Sequence, residues 1–383
     1  MTITINHRTS RGRHHRDNKS FTMKTILRSS FIFAAFLILT TVAVAQYVAT
    51  DLTGYTQSQG TRFIDPNLNG WGMVQMPNGD FCVANTATGV ATFYHPSGEP
   101  DRLVITIPAG ANARFGPVGS PTGVVYNSTR DFVISAHGRS APARLIFDTL
   151  DGTISGWNPE VDLTHAIIMV DNSAETPFPG DYTALSLGQD SHGRNVLYAC
   201  DSGDSATLSN NRVDMFDGRF DSLGSFTDPN VAPQYPGNTV FQAKYFEGRI
   251  FVTFATFTAP FDGIIDIFDA DGHLLTPNHW AVSGFGTGPL VNPWAIVRAP
   301  HNFGPFSNAI LIGNVEDGRI SAYNDLGQFL GQLNDLHHHP IAIAGLWELV
   351  FAQQSNRLYF AAGPDAEDFA GDGLFGIISS ARR

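Results

Sequence analysis

One apolar segment recurs six times along the chain, and it constrains the fold more than any other feature. Its copies are Trp71-Gly72-Met73, Thr122-Gly123-Val124, Thr183-Ala184-Leu185, Phe241-Gln242-Ala243, Trp294-Ala295-Ile296 and Trp347-Glu348-Leu349, with steps of 51, 61, 58, 53 and 53 residues. A second segment keeps the same order beside it, a turn followed by an alternating strand. Its copies begin at Gly89, Gly152, Asn211, Gly263, Gly318 and Gly373, each 18 to 30 residues after its partner in the first series. Repeats of this length mark solenoids, propellers or arrays. Between the two series lie short apolar runs such as Phe81-Cys82-Val83-Ala84, Ile250-Phe251-Val252-Thr253 and Leu358-Tyr359-Phe360-Ala361. After the second series comes a further strand, for example Arg102 to Ile107 or His165 to Val170. Gly, Asn, Asp and Pro separate these runs, as hairpins require, and no helical period occurs.

The expected fold is therefore all-β, a six-bladed β-propeller with four antiparallel strands per blade. A blade buries both faces against its neighbours, so no blade should stand alone and residues 46–383 should form one domain. The sixth repeat runs out at Arg383 before its fourth strand, while Tyr47 to Leu52 is one unpaired strand at the other end. That strand is expected to complete the last blade and remove an exposed sheet edge. The surplus run Phe132 to Ser135, beside Arg144 to Asp148, reads as an extra hairpin in the second repeat.

The first 45 residues differ from the rest. Phe31 to Ala45 is an apolar stretch of about 15 residues, too short to span a bilayer and suited to the core of a signal peptide. Lys24 and Arg28 precede it, and Ala43-Val44-Ala45 offers a cleavage site before Gln46. Met23 opens this unit, so 23–45 reads as the signal peptide and 1–22 as an upstream extension. The expected address is secreted or periplasmic, with no membrane span after cleavage. The formal charge of −12 hides an asymmetry: residues 1–45 hold seven Lys/Arg and one Asp, leaving 16 basic and 34 acidic residues in the remainder. That surplus opposes nucleic-acid binding. Partners are expected to be a protein, glycan or small molecule, and the chain to act as a monomer. Cys82 and Cys200 are the two cysteines, with 117 residues between them, and fit no zinc pattern. Sequence alone leaves open whether they pair or stay as buried thiols.

Four segments carry a resemblance: Asp151-Gly152-Thr153-Ile154-Ser155-Gly156-Trp157-Asn158, Val291-Asn292-Pro293-Trp294, Asn302-Phe303-Gly304-Pro305-Phe306-Ser307-Asn308-Ala309 and Asp372-Gly373-Leu374-Phe375-Gly376. Together they resemble a family of exported bacterial proteins of unknown function with NHL-like propeller repeats, many carrying a C-terminal PEP-CTERM sorting tag. The resemblance spans about residues 47–378 and implies the propeller fold and an extracytoplasmic address, but no activity. The chain departs from the family in lacking the tag, in having Glu348 where Gly is usual, and in placing His337-His338-His339 at a plain turn.

Candidate chemistry is sparse. Asn85, Asp201 and Asn314 close apolar runs in three repeats, and Glu348 interrupts an otherwise apolar strand. A ring of hard oxygen donors at a channel mouth suits Ca²⁺. It also resembles, more distantly, the ring of the six-bladed calcium-dependent lactonases and phosphotriesterases, which implies a hydrolase of the lactonase, arylesterase or phosphotriesterase type whose metal polarises an ester or phosphoryl oxygen. Strand-end Asn and Asp are also ordinary turn formers, and Glu348 could face a water-filled channel. Of the three adjacent histidines, only His337 and His339 can point the same way on extended backbone. No Ser-His-acid set can be assembled from spacing alone, and no GxSxG elbow or phosphate-binding glycine loop is present. The reading that results is a binding or scaffold module, with the metal-dependent hydrolase as its alternative.

Overall fold

Runs that are apolar at every position fold as strands covered on both sides, and here they are the second strands of the blades. Phe81–Asn85, Leu145–Thr149, Ile310–Asn314 and Leu358–Ala362 are buried throughout. Outer strands such as Ser222–Phe226 are mostly exposed. This gradient, from a packed centre to a wet rim, belongs to a computed structural model that describes residues 46–381 apart from 176–177, 204–209, 257–258, 260, 285–287 and 364–372. The expected signal peptide and upstream extension lie outside the described residues. Among those described, no helix is long and apolar enough to cross a membrane.

The strands form six antiparallel blades in a ring. Blade one is Gly70–Gln75, Phe81–Asn85, Val90–Tyr94 and Pro100–Thr106. Blade two is Pro121–Tyr126, Leu145–Thr149, Thr153–Trp157 and Ile167–Asp171, interrupted after its first strand by the small hairpin Val133–Ala136 and Arg139–Pro142. Blade three is Tyr182–Gln189, Asn195–Asp201, Arg212–Asp217 and Ser222–Phe226. Blade four is Thr239–Phe246, Arg249–Ala255, Gly263–Asp269 and Ala281–Ser283. Blade five is Pro293–Arg298, Ile310–Asn314, Ile320–Tyr323 and Phe329–Gln332. Blade six takes Leu346–Phe351, Leu358–Ala362 and Leu374–Ser380 from the end of the chain and Tyr47–Gly54 from its beginning.

The closure follows the expected arrangement. Tyr47–Gly54 pairs antiparallel with Leu374–Ser380, from Tyr47 opposite Ser380 to Gly54 opposite Leu374. Its anchor lies in the neighbouring blade. Tyr47 is fully buried, donates its hydroxyl to Phe303 O at 3.0 Å, and has its ring 4.8 Å from Phe303 and 6.2 Å from Phe306. The Asn302–Ala309 segment thus supplies the socket for the closing strand. Burying one tyrosine this way contributes on the order of 4 kcal/mol before ordering costs.

Each inner strand is broken at the same height. In blades three to six the ladder skips one residue: Thr183, Phe241, Trp294 and Trp347. In blades one and two the break falls at Trp71-Gly72 and Thr122-Gly123. A bulge of this kind kinks the strand and re-aims a side chain. It also frees a backbone N–H, which second-strand side chains take up: Gly123 N donates to Asp148 Oδ1, and Gln242 N to Thr253 Oγ1 at 3.1 Å. Asp148 is wholly buried, its Oδ2 has no hydrogen-bond partner, and burial pushes its pKa up to about 7.

Candidate functional site

The six bulge residues point to the axis of the ring and fill it. Trp71 and Trp347 stack at 3.7 Å, and Trp294 meets them edge-on at 5.3 and 4.8 Å. Phe241 adds a fourth ring 4.8 Å from Trp294. Threonines complete the circle on the other side. Trp71 Nε1 donates to Thr183 O at 3.1 Å, and Thr183 Oγ1 donates to Phe241 O at 3.0 Å. The Thr122 hydroxyl lies 2.8 Å from both Tyr182 O and Asp148 Oδ1. None of the six is more than 5% exposed. The expectation of a water-filled channel beside Glu348 is therefore corrected: at this height the axis is a packed aromatic plug, because aromatic burial and edge-to-face contacts outweigh hydration of a narrow pore.

Beyond the plug, where the inner strands end, the ring opens into a funnel of about 330 Å³. Val74, Val124, Leu187, Val297 and Val350 form apolar walls, with Lys244 among them. Lys244 Nζ lies 3.2 Å from Glu348 Oε2, and Glu348 Oε1 accepts the N–H of Leu349 at 3.0 Å. Burial pushes the Glu348 carboxyl above its ordinary value, and the Lys244 ammonium and the Leu349 N–H pull against that. The Lys244 side chain keeps 27% exposure, so the charge that partners Glu348 also faces the funnel. At the same ladder position blades one and two have Gly72 and Gly123. A Cβ there would lie 2.3 Å from backbone of the next blade. Among the described residues, the funnel lining contains no carboxylate, imidazole or thiol. Chemically it can take an apolar body and offer the Lys244 ammonium to an acceptor group, with Tyr126, Ser186 and Tyr245 also in the lining.

The other residues singled out in the sequence lie apart from this funnel. Asn85, Asp201 and Asn314 end the second strands of blades one, three and five, beside the starts of the inner strands. Asn85 Oδ1 accepts Asn69 N at 2.9 Å, and its amide donates to Thr92 Oγ1 at 2.9 Å. Asp201 Oδ1 accepts Asp181 N at 3.0 Å, while Arg212 stands 3.1 Å from Oδ2; burial nevertheless raises its pKa to about 6. Asn314 donates to Pro289 O and Asp317 Oδ1, and its own Oδ1 is buried without a hydrogen-bond partner. Glu348 is separate, turned toward Lys244. Among the described residues no two of the four share a hydrogen-bond partner. His337 and His339 sit on an exposed loop with rings 6.5 Å apart, where Asp335 Oδ1 accepts both backbone N–H groups. Cys82 and Cys200 are free, buried thiols in blades one and three. Sequence reasoning missed Lys244. Its signal was a lone cation three residues past the ladder position of an inner strand, in Phe241-Gln242-Ala243-Lys244-Tyr245.

No family model matches the chain. An uncharacterized protein of Acanthamoeba polyphaga mimivirus is 28% identical over 328 residues, covering 82% of this chain and 81% of its own length. A second uncharacterized protein of the same virus is 27% identical over 333 residues, covering 82% and 76%. Among solved structures, a gluconolactonase from Xanthomonas campestris superposes with TM-score 0.52 at 12% identity, covering 82% of this chain and 88% of its own. A catalytically inactive virginiamycin B lyase from Staphylococcus aureus with quinupristin gives 0.50 at 9% identity, covering 88% and 99%. A PQQ-bound aldose sugar dehydrogenase from Streptomyces coelicolor also gives 0.50, at 12% identity and the same coverages. At such identities the likeness is one of fold.

Proposed function

We propose that the chain is an exported, monomeric binding module of the NHL-like propeller type, and that its ligand is a small molecule held in the funnel below the plug. The observation that carries this reading is the pairing of the two: a sealed axis makes the funnel a blind site, with apolar walls and one ammonium. Its volume falls at the lower end of small-molecule sites. The ligand class is a compact apolar body bearing an anionic or carbonyl group directed at Lys244. The probe is anilinonaphthalene sulfonate, which has an apolar body and one anionic group. Lys244→Met combined with Glu348→Gln removes the cation without leaving a carboxylate unpaired, and should weaken probe binding at least tenfold. Val350→Trp, which fills the funnel, should abolish it. Unchanged affinity in both variants would reject the reading.

A second reading, the calcium-dependent hydrolase, is favoured by Asn314, whose buried Oδ1 lacks a hydrogen-bond partner, and by the gluconolactonase among the fold neighbours. Asn314, Asp201 and Asn85 would hold the ion, with Glu348 reaching it only if it left Lys244. Bound Ca²⁺ would supply Lewis-acid polarisation of an ester or phosphoryl oxygen. Asn85 and Asp201 would first have to release Asn69 N and Asp181 N. Calcium-dependent turnover of lactones, aryl esters or phosphotriesters, lost in Asn314→Ala, would establish this reading over the first.

A further inference from the structure

Away from the axis, three side chains from separate segments meet in the interior at the rim of blade four. Asp228 follows the outer strand of blade three, Asp266 lies within Gly263–Asp269, and His279 precedes the outer strand Ala281–Ser283. Their side chains are 0%, 0% and 7% exposed. His279 Nδ1 stands 3.1 and 3.0 Å from the two Asp266 oxygens and 3.9 Å from Asp228 Oδ2. One ligand atom from each residue falls within 4.8 Å of the other two.

The Asp228 carboxylate is held in place. Its Oδ1 accepts Asn230 N at 2.8 Å and Asn230 Nδ2 at 2.9 Å. That leaves Oδ2, buried and without a hydrogen-bond partner, turned toward Asp266 and His279. The site is also built around the imidazole. His279 takes a left-handed backbone, φ 60°, unusual for a residue with a Cβ, and the Tyr235 ring stands edge-on to it at 5.7 Å. Thr276 Oγ1 donates to Asp266 Oδ1 at 3.3 Å. Two carboxylates side by side in a dry interior are relieved by a shared proton, a cationic partner or a metal ion.

We propose that Asp228, Asp266 and His279 form a binding site for one divalent transition-metal ion, of the Zn²⁺ or Mn²⁺ class. Ligand bonds of about 2.0–2.2 Å in a tetrahedral arrangement put neighbouring ligand atoms roughly 3.4 Å apart. The separations of 3.0 and 3.9 Å bracket that value. An imidazole with two carboxylates suits a borderline ion, whereas Ca²⁺ takes six to eight oxygens. The site joins the loop after blade three to two segments of blade four, so the ion acts as a clasp between adjacent blades.

The test uses the mature full-length protein, equilibrated separately with Zn²⁺ and Mn²⁺, desalted, and analysed for metal by mass spectrometry. About one ion per chain is expected, with a higher thermal midpoint that chelator reverses. Asp228→Asn keeps both acceptor contacts to Asn230 and should bring the content close to zero. If that variant fails to fold, Co²⁺ loading of the wild type serves instead, since a tetrahedral nitrogen–oxygen site gives a visible d–d band. A double variant, His337→Ala with His339→Ala, should retain the ion. Wild-type protein that binds neither metal, an Asp228→Asn variant that folds and keeps its ion, loss of the ion with the His337/His339 pair, or a Co²⁺ form without the band would each overturn the proposal.

Discussion

Replacing Asp148 by Asn should make this protein more stable at alkaline pH and leave it nearly unchanged at acid pH. In the folded state burial moves the Asp148 carboxyl from its ordinary 3.8 to about 7, against the opposing bonds from Thr122 and Gly123. A group whose pKa is raised by folding stabilises the fold fully below its unfolded value, and that contribution is lost as pH rises through the folded one. At 1.36 kcal/mol per pH unit the span corresponds to roughly 4 kcal/mol. Asn keeps an oxygen to accept from Thr122 and Gly123, puts its amide where the unpartnered Oδ2 lay, and carries no charge at any pH. The difference in unfolding free energy, variant minus wild type, should therefore grow by about 3 kcal/mol between pH 5 and pH 8. Urea unfolding of both proteins at pH 5, 6.5 and 8 measures it directly. A difference that stays flat, or that falls as pH rises, would refute the claim that an ionisable carboxyl is trapped behind the bulge of blade two.

Trp347→Ala removes one face of the stacked pair at the axis and should cost about 3–5 kcal/mol in denaturant unfolding, with loss of the near-ultraviolet dichroism of the coupled Trp71 and Trp347. Tyr47→Phe should cost about 1 kcal/mol through the orphaned Phe303 carbonyl, and Tyr47→Ala about 3–5 kcal/mol. Because that residue holds the closing strand, the alanine variant should also show increased aggregation by light scattering. Burial raises the pKa of both thiols, so Cys82 and Cys200 should react with a thiol reagent only after denaturation. Prompt reaction of either in native buffer would contradict their placement.

What could be read from the sequence was what repeats with burial. The second strands are covered on both faces, so they stand out as unbroken apolar runs, and the count of six follows from them. The closing strand was legible because the sixth repeat lacked a partner and Tyr47–Leu52 had none. The bulge was not. Trp71, Trp294 and Trp347 occupy one ladder position in plain view, but only the skipped pairing turns them inward to seal the axis, and without it the inner strands suggest an open channel. Strand-end residues were ambiguous for a different reason. An Asn such as Asn85 has the same composition whether it faces an ion or, as its bond to Asn69 N shows, accepts a neighbouring backbone N–H. The Asp228, Asp266 and His279 cluster left no local trace, because its members are brought together by the packing of blade four and not by spacing.

A crystal structure of the protein with anilinonaphthalene sulfonate tests the account most directly. The probe should lie against Val124, Leu187 and Val350 with its sulfonate toward Lys244 and the tryptophan plug intact behind it. Density for the probe at the opposite face beside Asp201 and Asn314, or an axis opened by displaced tryptophans, would contradict it.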